Sequence, residues 1–387
     1  MLTKNIYFNN FNFKKKFNIK KKYSIFKKID WFVKFPLLKS YSEKYKYSYD
    51  KIFIKKLKRF HNVNCIGMGG SILGTKAIYN FLQTKIKKKF TFVDNLNPQI
   101  NIKKNGLNII ISKSGETLET ISNLNILLKE KKYKKNIFIT EFTNNNLMNL
   151  AKKLKSEIIE HKNYIGGRYS VLSEVGMLPA ELMGLNQKKF KQFNSLIKNK
   201  KFSNQLIYNV ECIINLVKKG KKNSIILNYD SKSDYLFQWY QQLVGESLGK
   251  KSKGIIPIIS SMPKDNHSLL QLYLDGPKNN FFTFYNVRDK ISDKISSKFL
   301  SDSYKFLKNK SLKNILSAQQ QATQEVFKKK KIPFRTFEMT NRSEQALGEF
   351  FCFFVLETIL LGQALGVNPF DQPAVELIKV KTKRILS

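Results

Sequence analysis

Arginine, histidine, cysteine and tryptophan are scarce in this chain. Among its 387 residues, arginine occurs only as Arg59, Arg168, Arg288, Arg335, Arg342 and Arg384, beside three histidines, three cysteines and two tryptophans. The cysteines Cys65, Cys212 and Cys352 are far apart, odd in number and flanked by apolar residues. That spacing argues against a disulfide framework and offers no metal-ligand pattern, so buried thiols in a reducing compartment are expected. Acids are also few: 28 against 70 basic residues, a net charge of +42. A surplus of that size ordinarily points to nucleic acid. Here lysine carries nearly all of it, in short runs such as 14–16, 20–22, 87–89 and 328–331. Nucleic-acid readers favour the planar arginine fork. Lysine, asparagine, isoleucine, phenylalanine and tyrosine also share A/T-rich codons, so one compositional bias accounts for the set. Nucleic-acid binding is therefore not expected, although the charge would attract an anionic ligand at long range.

Long apolar runs are missing too. The best candidate, 350–361, is interrupted by Glu357 and is shorter than a membrane span. The first 29 residues contain no acid. They lack the apolar stretch and small-residue cleavage site of a secretory signal, and the arginine and serine richness of a transit peptide. A cytoplasmic protein without membrane contact is expected.

What the chain does have is 42% hydrophobic residues, with 31 phenylalanines and 17 tyrosines. That supports a large core and length enough for two domains. After a basic, aromatic N-terminal extension over 1–45, and a basic helix within 46–60, strands and helices alternate. Strands are predicted over 62–68, 90–93, 107–112, 136–140 and 156–160, with helices over 73–82, 117–128 and 147–154. The rhythm restarts after residue 185. Helices at 203–218, 234–248 and 267–274 alternate with strands at 223–229, 254–260, 281–287 and 332–338, and two helices close the chain at 343–365 and 372–385. Such alternation predicts an α/β protein of two doubly wound parallel sheets, each a three-layer sandwich. The domains are expected over 46–190 and 200–345, with C-terminal helices over 346–387.

Two turns carry chemistry. Gly67-Met68-Gly69-Gly70-Ser71 lies between a predicted strand and helix, where glycines let backbone N–H groups approach an anion. No acidic residue follows at dinucleotide spacing, and a tight turn explains it equally well. Ser112-Lys113-Ser114-Gly115-Glu116-Thr117 likewise follows a predicted strand, 108–111, and opens a helix. An N-cap cluster needs one or two hydroxyls; three on one turn favour an anion cradle. It lacks the GK[ST] of a P-loop, so no nucleotide is implied.

The segments GMGGSILG and SKSGETLET together resemble the sugar isomerase (SIS) domain of phosphoglucose isomerases and related aldose–ketose enzymes. GGRYSVLSEVG (166–176) is similar to the phosphoglucose isomerase signature, QQLVGESLGK (241–250) to the segment of its catalytic glutamate, and FDQPAVELIK (370–379) to its C-terminal catalytic helix. All five stand in the family's order and span residues 67–379. Glu174 departs from the signature, which usually has a small residue there, and the chain is shorter than most members.

The resemblance implies interconversion of glucose 6-phosphate and fructose 6-phosphate through an enediolate, with no metal and no redox cofactor. It implies Glu246 as the base between C1 and C2, Arg168 beside the enediolate, and His267 and Lys379 in ring opening. Gly70, Ser71, Ser112, Lys113, Ser114, Thr117 and Gln372 would contact the sugar phosphate. It further implies a homodimer in which His267 reaches the neighbouring subunit's site. Each residue has a plainer reading alone: Glu246 paired with Lys250 one turn on, Arg168 as a surface charge, Lys379 as one of several clustered lysines. Partial burial against Trp239 and Leu243 is expected to move the Glu246 carboxyl toward neutrality. His61 and His161 read as surface residues.

Overall fold

The computed structural model describes residues 1–97, 105–129, 133–288 and 293–387. Two five-stranded sheets organise it. The first runs β3(Lys89–Val93)-β2(Asn62–Gly67)-β4(Gly106–Ile111)-β5(Tyr133–Thr140)-β6(Glu157–Glu160), parallel throughout. The second runs β1(Ile6–Asn9)-β10(Phe334–Met339)-β9(Asn280–Val287)-β7(Asn223–Asn228)-β8(Ile256–Ser261), parallel except for β1. The central strands read as near-continuous Ile, Leu and Phe because helices cover both faces. In β4, Ile109 and Ile111 face one core while Ile110 faces another, built with Leu124, Leu127, Phe138 and Leu147. Ile225 and Leu227 of β7 pack outward with Phe282, Phe284 and Phe327, whereas Ile226 faces inward.

The inward faces of both sheets join one large core. At its centre lies the helix Glu344–Leu365, whose Phe350, Phe351, Phe353 and Phe354 are fully buried. This helix is long and apolar enough to cross a membrane, but 89% of its most apolar stretch is enclosed by the protein. It also carries a buried charge: Glu357 pairs with Arg335, which bonds Asn209 Oδ1 at 2.8 Å and Thr283 Oγ1 at 2.9 Å. A buried pair satisfied in this way is costly to break by removing one partner. In the first sheet, Asn64, Asn108 and Asn136 bridge three strands side by side (2.9 and 3.0 Å). That ladder satisfies buried amides where the sequence shows only polar interruptions of a strand.

Three elements depart from the sequence reading. Residues 1–45 supply edge strand β1, paired antiparallel to β10, and bury Ile6, Phe8, Phe11, Trp31, Leu38 and Tyr41 in the main core. The helix Leu312–Lys329 has no counterpart among the predicted elements. It buries only Gln320, Thr323 and Phe327, so its apolar stripe is too thin to read, although Ser311 and Asn314 form a capping box. His161 is not a surface residue: it is buried at the end of β6, with its backbone N–H on Thr140 O (2.8 Å).

Candidate active site

The two turns named from sequence stand side by side, because β2 and β4 are parallel neighbours that pair Gly67 with Ile111. Both turns therefore emerge at the carboxyl ends of adjacent strands, where α/β folds place their ligands. Gly70 meets a third turn, Gly167–Leu172: a Cβ on Gly70 would lie 2.2 Å from the Gly167 carbonyl carbon. Ser170 Oγ bonds the oxygens of Gly167 (2.7 Å) and Gly70 (3.2 Å), locking the turns together. In the serine turn, Ser112 and Thr117 hydroxyls are 2.8 Å apart, and Ser112 Oγ accepts from Gly115 N–H (3.2 Å). Gly115 has φ +69°, and a Cβ there would sit 1.9 Å from Asn145 Oδ1, so only glycine fits. Ser114 is exposed and accepts from Glu116 N–H at 3.2 Å. The Lys113 ammonium turns onto Asn163 O (2.8 Å) and Glu141 (3.5 Å). Ser71 is half-buried on the opposite turn.

Arg168 projects from the third turn and is buried. Nε donates to Ser247 Oγ at 2.8 Å. One terminal nitrogen donates to Glu246 Oε2 (3.0 Å) and Gln372 Oε1 (2.8 Å); the other donates to the carbonyls of Pro369 (2.8 Å) and Asp371 (3.0 Å). All five N–H donors are thus engaged, and the guanidinium plane is fixed. Tyr169 helps: its hydroxyl donates to Pro369 O (2.9 Å) and lies 2.9 Å from Ser247 Oγ. Burial pushes the Tyr169 phenol above its ordinary range, so it stays protonated.

Glu246 and Ser247 occupy the last turn of the helix Asp234–Leu248, and Gln372 caps the C-terminal helix Pro373–Leu386. Arg168 draws these elements to one point. Glu246 Oε1 accepts from Gln242 Nε2 at 2.9 Å, and its side chain keeps 29% of its surface open. The plainer pairing of Glu246 with Lys250 does not form. Lys250 pairs with Asp371 (2.8 Å), not with Glu246, and draws the Asp371 carboxyl below its ordinary range. Trp239 stacks edge-on against Phe351 at 4.8 Å.

The remaining candidates lie apart. His267 is exposed at the end of a short turn, Lys264–Asn266, and its ring makes no hydrogen bond among the described residues. Lys379 is exposed and bonds Glu376 on its own helix (2.6 Å). That helix buries none of its residues; Leu377, Ile378, Val380 and Ile385 stand 67–83% exposed. Sequence reasoning missed Gln242, although its i,i+4 spacing from Glu246 was a usable signal. It also missed Ser247, Tyr169 and the Pro369 and Asp371 carbonyls, whose roles depend on long-range geometry. No cluster of metal-ligating side chains occurs among the described residues.

The family model described as phosphoglucose isomerase matches residues 37–387. A glucose-6-phosphate isomerase of Methanocaldococcus jannaschii is 34% identical over 349 residues, covering 83% of each chain. The fold matches a hypothetical protein of Thermus thermophilus with a TM-score of 0.80 (22% identity, 95% and 94% coverage). It also matches a glucose-6-phosphate isomerase of Chlamydia trachomatis with a TM-score of 0.71 (20% identity, 87% of this chain and 71% of that one). The chain belongs to the phosphoglucose isomerase family.

Proposed function

We propose that the chain interconverts glucose 6-phosphate and fructose 6-phosphate by aldose–ketose isomerisation. The observation that carries the mechanism is the Arg168–Glu246 pair, a carboxylate with one open flank beside a fixed cation, adjoining two strand-end turns. The phosphate lies against the hydroxyls of Ser112, Ser114 and Thr117 and the backbone of Lys113, where a helix begins. Gly70 and Ser71 bound the sugar from the facing turn, and Gln372 orients it from the C-terminal side.

In the open-chain aldose, the Glu246 carboxylate takes the C2 proton. The C–H electron pair forms the C1–C2 double bond, and the carbonyl π pair moves onto O1. The resulting negative charge faces the Arg168 guanidinium, which is aligned before the reaction and need not reorganise. Glu246 returns the proton to C1, and the O2 proton passes to O1, giving the ketose. Proton transfer of this kind typically supplies about 10²–10⁴ in rate. Neither a metal nor a redox cofactor enters this scheme.

Cyclic sugars must first open, and this role goes to His267 and Lys379. Neither touches the Glu246 centre within one chain. A homodimer in which the neighbouring subunit's His267 completes the site accounts for this, and the bare apolar flank of the C-terminal helix supports it. The three buried, unpaired cysteines fit a cytoplasmic setting. The test is a coupled assay, with fructose 6-phosphate supplied and glucose 6-phosphate measured, alongside Glu246→Gln. Turnover by the wild type and none by the variant is expected; normal turnover in the variant removes Glu246 as the base.

A further inference from the structure

Glu174 stands where the signature segment usually has a small residue, and in this chain its carboxylate is buried and fully engaged. The side chain opens the helix Glu174–Leu182 and is completely buried. Its carboxylate accepts from Tyr45 Oη (2.8 Å), Ser48 N–H (3.0 Å) and Ser48 Oγ (3.3 Å). A second buried charge lies beside it. Lys191, just past the turn Gln187–Phe190, is 3% exposed, and its Nζ donates to the carbonyls of Ser40 and Leu172. The same nitrogen sits over the rings of Tyr45 (5.2 Å) and Tyr47 (4.9 Å). Burial lowers the Lys191 ammonium to about 7, and the nearby Glu174 carboxylate opposes that shift. Charged or neutral, the amine still donates to both carbonyls.

What Lys191 holds is the underside of the Arg168 turn. Leu172 is the last residue of Gly167–Leu172, and Ser40 belongs to the strap Pro36–Tyr41. The strap also sends Tyr41 Oη to Tyr169 O (3.0 Å), next to Arg168, and Tyr47 Oη reaches Leu172 O at 3.4 Å. The front of the turn abuts Gly70. The turn is therefore clamped between the substrate-facing glycines and a buried polar network centred on Lys191 and Glu174.

We propose that Lys191, supported by Glu174, is a positioning residue that sets the place of Arg168 by fixing the carboxyl end of its turn. The proposal rests on the Arg168–Glu246 centre described above. Replacing Lys191 with methionine keeps the length of the side chain but leaves the Ser40 carbonyl without this donor and the Leu172 carbonyl with only the long bond from Tyr47. Loss of that anchor displaces a group whose placement matters at the scale of an ångström.

The test uses the same isomerase assay with full-length wild type, Lys191→Met, Arg168→Ala and the Lys191→Met/Arg168→Ala double variant, each checked for folding by thermal unfolding. In Lys191→Met, kcat is expected to fall about 10–100-fold with KM within about twofold. In the Arg168→Ala background, the same substitution is expected to lower kcat by less than about twofold, because the two residues act as a unit. If Lys191→Met does not fold, Lys191→Met/Glu174→Ala replaces it: both buried charges are removed together, while Leu172 still lacks its bond from Lys191. Wild-type kcat in either Lys191 variant, or the full loss recurring without Arg168, overturns the proposal. Absence of turnover in the wild type overturns instead the reading of the centre, and the proposal falls with it.

Discussion

The two halves of the candidate site are in opposite states. Arg168, Glu246, Ser247 and Gln372 form a closed set in which every guanidinium N–H has an acceptor and each carboxylate oxygen of Glu246 a donor. His267 and Lys379 stand in solvent, one without a hydrogen bond among the described residues and the other paired only within its own exposed helix. The first half is held by the fold of one chain. The second has reactive groups but no wall around them. The difference follows from the chemistry assigned to each half. Proton transfer at carbon needs charges fixed before the substrate arrives, whereas the proposed ring-opening groups would be brought to the sugar by the neighbouring subunit.

Glu246→Gln breaks the first half most directly. It is expected to lower kcat at least about 10³-fold with KM changed no more than a few-fold, since the amide keeps the shape but cannot accept the proton. Arg168→Lys comes next: a single ammonium cannot span the five acceptors, and a loss of about 10²–10³ in kcat with a lower Tm is expected. His267→Ala probes the second half. A loss of about 10² on cyclic substrate, with the open-chain form little affected, is expected; equal loss on both contradicts the ring-opening role. Ile378→Glu probes the exposed helix and should shift the protein toward monomer in sedimentation, with activity falling on dilution well before the wild type's does.

The smallest effect concerns His161, behind the serine turn in the preformed half. Burial lowers its pKa from 6.5 to about 4, so between those values the unfolded chain binds a proton that the folded chain does not. Stability is therefore lost as pH falls through this window, by about 2 kcal/mol at pH 5, and no such loss occurs above about pH 6.5. Urea unfolding at pH 7 and pH 5 measures it. His161→Gln should remove this part of the pH dependence.

Legibility followed the same division. The strand–turn–helix rhythm and the two strand-end turns were readable because parallel buried strands are near-continuous apolar runs and their turns need glycine. Arg168 stood out because arginine is rare here. Four of the six, Arg168, Arg288, Arg335 and Arg342, pair with carboxylates. A planar fork is the one basic group that abundant lysine cannot replace. The helix Leu312–Lys329 was not legible because its buried stripe is three residues wide, nor strand β1, which is four residues long and defined only by its pairing with β10. His161 was misread because its neighbours His161–Asn163 look like a polar turn, while the burial comes from the end of the sheet. The plainer alternative for Glu246, an i,i+4 pair with Lys250, does not form, because Asp371, distant in sequence, claims Lys250.

Subunit complementation between Glu246→Gln and His267→Ala tests the division of the site most directly. Each variant alone should be nearly inactive. If the neighbouring subunit supplies His267, dissociating and reassociating an equal mixture yields heterodimers with one intact site, and activity should rise to about a quarter of the wild-type value. Activity no greater than the average of the two separate variants would contradict the account, and would place both halves of the site within a single chain.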